Sequence, residues 1–350
     1  MVRMNFRGPA LILALLPASF IATARAQQTV LPLWPTALPQ PEQTTQPETD
    51  ISKPTDIISG HHTSLLTNIT HPSLTVYAPS AAKNTHAAAL VFPGGGYFLL
   101  AYDGEGLDTC KWLNRIGMTC ILVKYRVPEK EHFPANPADL EDAQQAMRLT
   151  RIHAAEWHID PNRIGVIGFS AGGNLATLLS LYPDDNTVEN TPAKAEIDES
   201  ISARPNFVIL GYPAYLAVDP GQTTLDPTYT PNATTPRTFL VAAGNDITYG
   251  KNSLVYYRAL LDAKRPAELH MFPTGGHGFG MFPTGSPAHW TDLAEEWLRA
   301  SHILPPPQPN TPSVGGAASS DIPCPIPQPP TPGNPNPTPP NPTQQNPNCP

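Results

Sequence analysis

Arg163 to Gly173 reads RIGVIGFSAGG, inside the longer run IDPNRIGVIGFSAGG from Ile159 to Gly173. Its first seven residues, to Phe169, alternate β-branched and aromatic residues with glycine and carry a strand signal. A helix pattern begins at Ala171 and runs to Leu181. Gly168-Phe169-Ser170-Ala171-Gly172 forms the junction, a G-x-S-x-G pattern. A strand that turns sharply into a helix brings backbone close to its neighbours, so small residues must flank the serine. The hydroxyl then projects above the end of a sheet. A lone G-x-S-x-G is an ordinary glycine turn as often as not. The strand before it and the helix after it make Ser170 the candidate nucleophile.

Working outward, strand and helix signals alternate. Strands are expected at Ser73 to Tyr77, Ala87 to Phe92, Thr119 to Tyr125, Phe207 to Tyr212, Thr238 to Ala242 and Ala267 to Phe272. Helices are expected at Gly104 to Ile116, Asn252 to Lys264 and His289 to Ala300. Leu140, Ala143, Met147, Thr150, Ala154 and Trp157 fall at three- and four-residue steps and mark one buried helix face. Apolar strands separated by amphipathic helices predict an α/β fold, a mostly parallel central sheet with helices on both faces.

A serine hydroxyl is a weak nucleophile and needs a base. His277, in Gly275-Gly276-His277-Gly278-Phe279-Gly280 just past the last expected strand, can swing over the sheet end on its glycine loop. His61, His62, His71 and His86 precede the core, His153 and His158 sit beside a helix, and His270 lies inside a strand. The imidazole needs an acid to orient it and to stabilise its charged form. Asp246 follows an expected strand across Gly244-Asn245. Its rivals are Asp219 and Asp226, in a proline- and threonine-rich stretch, and Asp262, inside a helix. The oxyanion that forms on attack needs preorganised N–H donors. Gly95 and Gly96, in Pro93-Gly94-Gly95-Gly96-Tyr97, and Ala171 at a helix N-terminus are the candidates.

Of 350 residues 45 are proline, about 13% against the usual ~5%. Eight lie in 1–54, nineteen in 55–304 and eighteen in 305–350. One domain is therefore expected at 55–304, with a Pro-rich linker at 27–54 and a Pro-rich, extended or disordered tail at 305–350. Residues 1–26 read as a cleavable signal peptide: Arg3 and Arg7, an apolar run from Ala10 to Ile21, then Ala24-Arg25-Ala26. That run is too short to span a bilayer. The expected location is secreted or periplasmic, free of the membrane after cleavage. The formal charge of −8 rules out a basic nucleic-acid binder. Export permits disulfides, with Cys110–Cys120 and Cys324–Cys349 the pairings that proximity suggests. Neither pair has metal or redox spacing.

PGGGY, Glu105-Gly106, KYRVP from Lys124 to Pro128, the helix DAQQAMRL, IDPNRIGVIGFSAGG and GGHGFG together resemble bacterial acetyl-esterase-type α/β-hydrolases. These relatives of hormone-sensitive lipase include acetyl-xylan and feruloyl esterases. The resemblance spans roughly residues 60–304, and the order Ser170…Asp246…His277 agrees with it. It implies an ester hydrolase without metal or organic cofactor, acting on a small ester or an acylated polysaccharide. It also implies Ser170, Asp246 and His277 as triad and Gly95, Gly96 and Ala171 as oxyanion donors. Three positions depart from many relatives: Pro93 and Asn174 stand where histidine is usual, and Asn245-Asp246 replaces an Asp-Asp pair. The alternatives are a peptidase of prolyl-oligopeptidase type, for whose accessory domain 250 residues leave no room, and a binding protein on an inactive hydrolase fold.

Overall fold

A computed structural model describes residues 29–306 apart from 59, 130–132, 186, 189–190 and 220. The expected signal peptide, and the tail beyond Pro306 with Cys324 and Cys349, lie outside the described residues.

Eight strands make the main sheet: β1 (Thr29–Pro32), β2 (Ser73–Tyr77), β3 (Ala88–Phe92), β4 (Thr119–Lys124), β5 (Ile164–Phe169), β6 (Phe207–Gly211), β7 (Arg237–Ala243) and β8 (Ala267–Phe272). Their spatial order is β1-β2-β4-β3-β5-β6-β7-β8. β2 runs antiparallel to β1 and β4, and every pairing from β4 to β8 is parallel. Five helices accompany them: α1 (Asp108–Arg115), α2 (Ala138–Ile152), α3 (Ala171–Leu181), α4 (Gly250–Asp262) and α5 (Trp290–Ala300).

The two-residue period of the strands divides the core into two faces. Leu90, Val166, Val208, Leu210 and Leu240 belong to one cluster with Leu140 and Met147 of α2, Leu175 and Leu178 of α3, and Leu260 of α4. Val91, Ile167, Ile209, Phe239 and Val241 belong to the other, with Trp112 of α1 and Trp290 and Leu298 of α5. Strands buried on both sides explain the uninterrupted apolar runs in the sequence. The predicted disulfide between Cys110 and Cys120 is present and joins α1 to β4.

Two expectations change. The helix expected at 104–116 begins only at Asp108, because Tyr102–Leu107 forms a wider π turn. The linker expected at 27–54 instead contributes sheet. Thr29–Pro32 is the edge strand β1, and Thr49–Asp50 pairs with Leu65–Thr67. An edge strand tolerates Pro32 because one side of its ladder needs no donor. High proline content therefore concealed an ordered segment. Leu33 and Trp34 are buried, and Trp34 Nε1 donates to Asp142 Oδ1 at 2.7 Å. The same carboxylate receives Arg126 Nε at 3.0 and 2.9 Å, so the segment is fastened to α2 through a buried ion pair. Truncating a buried tryptophan typically costs about 3–5 kcal/mol. Trp34→Ala should lower the unfolding free energy by about that amount in a denaturant titration, where a linker residue would leave it unchanged.

Candidate active site

The parallel strands end along one edge, and the candidate residues follow those ends. Ser170 follows β5, Asp246 the end of β7, His277 the end of β8, and Pro93 to Tyr97 the end of β3. In register, Phe92 lies opposite Gly168, Phe169 opposite Gly211 and Ala243 opposite Phe272, so the four loops leave the sheet at one level.

Ser170 adopts φ 50°, ψ −117°, a left-handed conformation that is strained for a non-glycine residue. Around it the chain is too tight for side chains. A Cβ on Gly172 would lie 2.1 Å from the Phe92 carbonyl oxygen, and one on Gly168 would lie 2.1 Å from the Gly172 oxygen. The elbow thus faces the neighbouring loop with bare backbone.

Ser170 Oγ lies 2.7 Å from His277 Nε2, and His277 Nδ1 lies 2.7 Å from Asp246 Oδ2. With Nδ1–H donating to the carboxylate, Nε2 is left to accept the serine proton. Asp246 is buried, and its second oxygen accepts the N–H groups of Thr248 at 3.1 Å and Tyr249 at 2.9 Å. Burial pushes its carboxyl upward, but the His277 hydrogen bond, the backbone donors and the charge of His277 outweigh it, leaving it below the ordinary range. The acid is therefore ionised at neutral pH and can stabilise an imidazolium. Asn245 Oδ1 accepts the Gly276 N–H at 2.8 Å, so both residues of the Asn-Asp pair grip the histidine loop.

The loop after β3 lies against the serine: a Cβ on Gly94 would come within 2.9 Å of Ser170 Cβ. The Gly94 N–H is occupied by Glu105 Oε2 at 2.6 Å. The N–H groups of Gly95, Gly96 and Ala171 have no acceptor among the described residues. The Gly95 backbone, at φ 140°, leaves no room for a side chain: a Cβ would lie 2.0 Å from the Leu99 oxygen. Ala171 opens α3, whose dipole adds positive potential at the serine. These three N–H groups suit a developing oxyanion.

The rival residues hold other structure. Asp219 closes a turn on Thr223 and Thr224, Asp226 caps a short helix through Thr228 N–H, and Asp262 pairs with Arg258 one helical turn away. His270 lies beside Glu268. Pro93 accepts the Tyr125 hydroxyl on its carbonyl at 2.6 Å; proline has no N–H of its own, and the candidate oxyanion donors Gly95, Gly96 and Ala171 keep theirs. Asn174 Oδ1 accepts the Tyr97 hydroxyl at 2.7 Å and ties α3 to the loop after β3.

Several site residues carry no sequence signal of their own. Tyr212 packs edge-on to His277 at 5.3 Å, and Tyr249 lies 4.9 Å from the same ring. Tyr215 stacks on Tyr97, and its hydroxyl lies 3.5 Å from where a Gly96 Cβ would be. Single tyrosines in loops follow no period, so only the fold assembles them. Among the described residues no group of three or more His, Cys, Asp or Glu could hold a metal ion, and no helix is long and apolar enough to cross a membrane.

The BD-FAE family model matches residues 74–224. A crystal structure of an acetyl ester-xyloside bifunctional hydrolase from Caldicellulosiruptor lactoaceticus is 31% identical, with a TM-score of 0.59, over 79% of this chain and 97% of that one. The chain belongs to the acetyl-xylan-esterase-like α/β-hydrolases. Within that family, an acetylxylan esterase of Xylanibacter ruminicola is 31% identical over 223 residues, 57% of this chain and 42% of that protein. Endo-1,4-beta-xylanase B of Butyrivibrio fibrisolvens is 31% identical over 208 residues, 54% of this chain and 32% of that protein. The chain thus matches well under half the length of these two curated relatives.

Asp246→Asn either keeps its oxygen on the Tyr249 N–H and turns an amide donor to His277, or gives His277 a neutral oxygen and leaves the Tyr249 N–H without an acceptor. Ester turnover should fall about 10⁴-fold, as wrong-tautomer variants of such triads do. Steady-state kinetics on an aryl ester would measure it, and a fall of less than tenfold would remove Asp246 from the triad.

Proposed function

We propose that the protein is a secreted or periplasmic serine carboxylesterase that removes short, acetyl-type acyl groups from plant polysaccharides such as xylan. The observation that carries this reading is the continuous relay from Ser170 Oγ through His277 to Asp246, with both contacts at 2.7 Å. Three backbone N–H groups beside it complete what acyl transfer needs.

The chemistry has two halves. His277 takes the Ser170 proton as the hydroxyl oxygen attacks the ester carbonyl. The tetrahedral oxyanion is held by the N–H groups of Gly95, Gly96 and Ala171. The imidazolium, paired with Asp246, gives its proton to the leaving alcohol as the ester C–O bond breaks. Water then attacks the acyl-serine with His277 as base, and the Ser170 hydroxyl is restored as the carboxylic acid departs.

The substrate class draws on the printed names of the acetylxylan esterase and the acetyl ester-xyloside hydrolase among the relatives. Export is supported by the basic-apolar-AxA pattern of residues 1–26 and by the Cys110–Cys120 disulfide, which an oxidising compartment sustains.

Ser170→Ala should abolish hydrolysis of 4-nitrophenyl acetate while leaving the thermal midpoint within a few degrees of wild type. Retained hydrolysis would overturn the assignment. In the wild type, kcat/KM should fall along the acetate, butyrate and octanoate esters, and acetate should be released from acetylated xylan. A rate rising with chain length would overturn the short-acyl reading alone.

A further inference from the structure

Glu105 is a buried carboxylate that the acyl-transfer scheme does not use. It belongs to the π turn Tyr102–Leu107 and reaches the oxyanion loop at Gly94. Oε2 accepts the Gly94 N–H at 2.6 Å, and Oε1 accepts the Tyr212 hydroxyl at 2.8 Å. The Tyr212 oxygen in turn accepts the Gly280 N–H at 3.0 Å, and the Gly280 carbonyl accepts Trp290 Nε1 at 3.0 Å. The Gly280 N–H donates to the phenolic oxygen, the phenolic hydrogen donates to Glu105 Oε1, and both carboxyl oxygens of Glu105 act as acceptors.

We propose that Glu105 is a positioning residue whose carboxylate ties the oxyanion loop to the histidine loop and holds the two halves of the active site in register. This rests on the esterase reading above. One arm ends on Gly94, directly before the two glycines whose N–H groups face the oxyanion. The other ends on Gly280, three residues after His277. The span between the loops is bridged by two side chains and no mobile link.

Three observations support the assignment. First, Gly94 has no slack: besides Glu105 Oε2 at 2.8 Å, its Cβ position meets Phe169 O at 2.7 Å and Ser170 Cβ at 2.9 Å. Displacing the carboxylate therefore shifts the loop relative to the nucleophile. Second, no lysine or arginine pairs with Glu105 among the described residues. Burial raises its carboxyl above the ordinary range, and the Tyr212 and Gly94 hydrogen bonds and the charge of His277 offset this only in part. Burying an acid without a cation is unfavourable, and a glutamine or an apolar residue would avoid the penalty. A double acceptor takes both the backbone N–H and the phenolic hydrogen. Third, Tyr212 packs its ring on His277 at 5.3 Å and on Phe279 at 4.6 Å, so the link reaches the imidazole by packing as well as by hydrogen bonds.

Glu105→Gln preserves shape but replaces one acceptor with a donor, so the arm to Tyr212 survives only with the phenol accepting from both the amide and Gly280 and its own hydrogen left unpaired. Tyr212→Phe preserves the ring and the Glu105 charge and breaks only the arm to Gly280. With 4-nitrophenyl acetate, Glu105→Gln should lower kcat about 10²-fold, the scale of a 1 Å misplacement, with KM within about twofold of wild type. Tyr212→Phe should lower kcat about tenfold, and the double variant should match Glu105→Gln alone, because both cut one chain. The inhibition constant of phenylboronic acid, whose tetrahedral serine adduct mimics the transition state, should rise in parallel with the loss of kcat/KM. A purely structural role would instead lower the thermal midpoint and leave these ratios unchanged. Wild-type kcat and boronate affinity in Glu105→Gln, or fully additive losses in the double variant, would overturn the proposal. If Glu105→Gln fails to fold, Tyr212→Phe decides: kcat unchanged from wild type overturns it. A wild-type enzyme inactive on every ester would sink the esterase reading instead, so the two failures are distinguishable.

Discussion

The backbone of Ser170 sits at φ 50°, ψ −117°, and the rest of the site is arranged around keeping it there. A non-glycine residue held in such a conformation costs on the order of 1–3 kcal/mol. Four hydrogen bonds hold it. Its N–H donates to Gly211 O, and its carbonyl accepts the N–H groups of Gly173, Asn174 and Ala214. Gly211 ends β6, and Ala214 lies just beyond it, so the neighbouring strand clamps the turn from the side. The glycines at 168 and 172 let β5, α3 and the loop after β3 approach closely enough for that clamp to close. The strain thus raises the hydroxyl above the sheet, where His277 reaches it.

The main sheet and the reacting groups were legible because each follows from a local rule. Strands β2 and β8 occupy the residues their apolar patterns mark, and G-x-S-x-G between strand and helix locates the elbow. Asp246 and His277 were legible because the loops that follow β7 and β8 must lie at the same edge as the elbow. What could not be read follows no local rule. Thr29–Pro32 joins the sheet because Leu33 and Trp34 are buried against distant α2, information absent from a proline-dense window. Glu105 drew notice only as part of a resemblance. Its partners Gly94, 11 residues away, and Tyr212, 107 residues away, meet it only in the folded chain.

Buried charge is handled in two ways in this molecule. Around Arg126 it is paired: Asp142 and Glu141 surround the guanidinium, and Trp34 and Gln40 complete the acceptors, so the cluster fastens the N-terminal segment to α2. At Glu105 no cation is paired: a backbone N–H and a phenol donate to the carboxyl, and burial holds it above the ordinary range. The first arrangement tolerates considerable change in its surroundings, because the countercharge travels with the cluster. The second depends on fixed donors, and so it belongs beside a site whose geometry is equally fixed.

The strand order has a further consequence. The serine stands on β5, the acid and base on β7 and β8, and β6 lies between. Their separation is therefore set by the ladder itself, since the loops that carry them are short. One residue of slippage between parallel strands moves a side chain by about 3.3 Å and reverses the face it occupies. Either change would carry the imidazole out of reach of the hydroxyl. The pairing Ala243 with Phe272 and Phe169 with Gly211 thus works as a gauge, and residues deep in the strands, far from any substrate, calibrate the reacting distance at the sheet's edge.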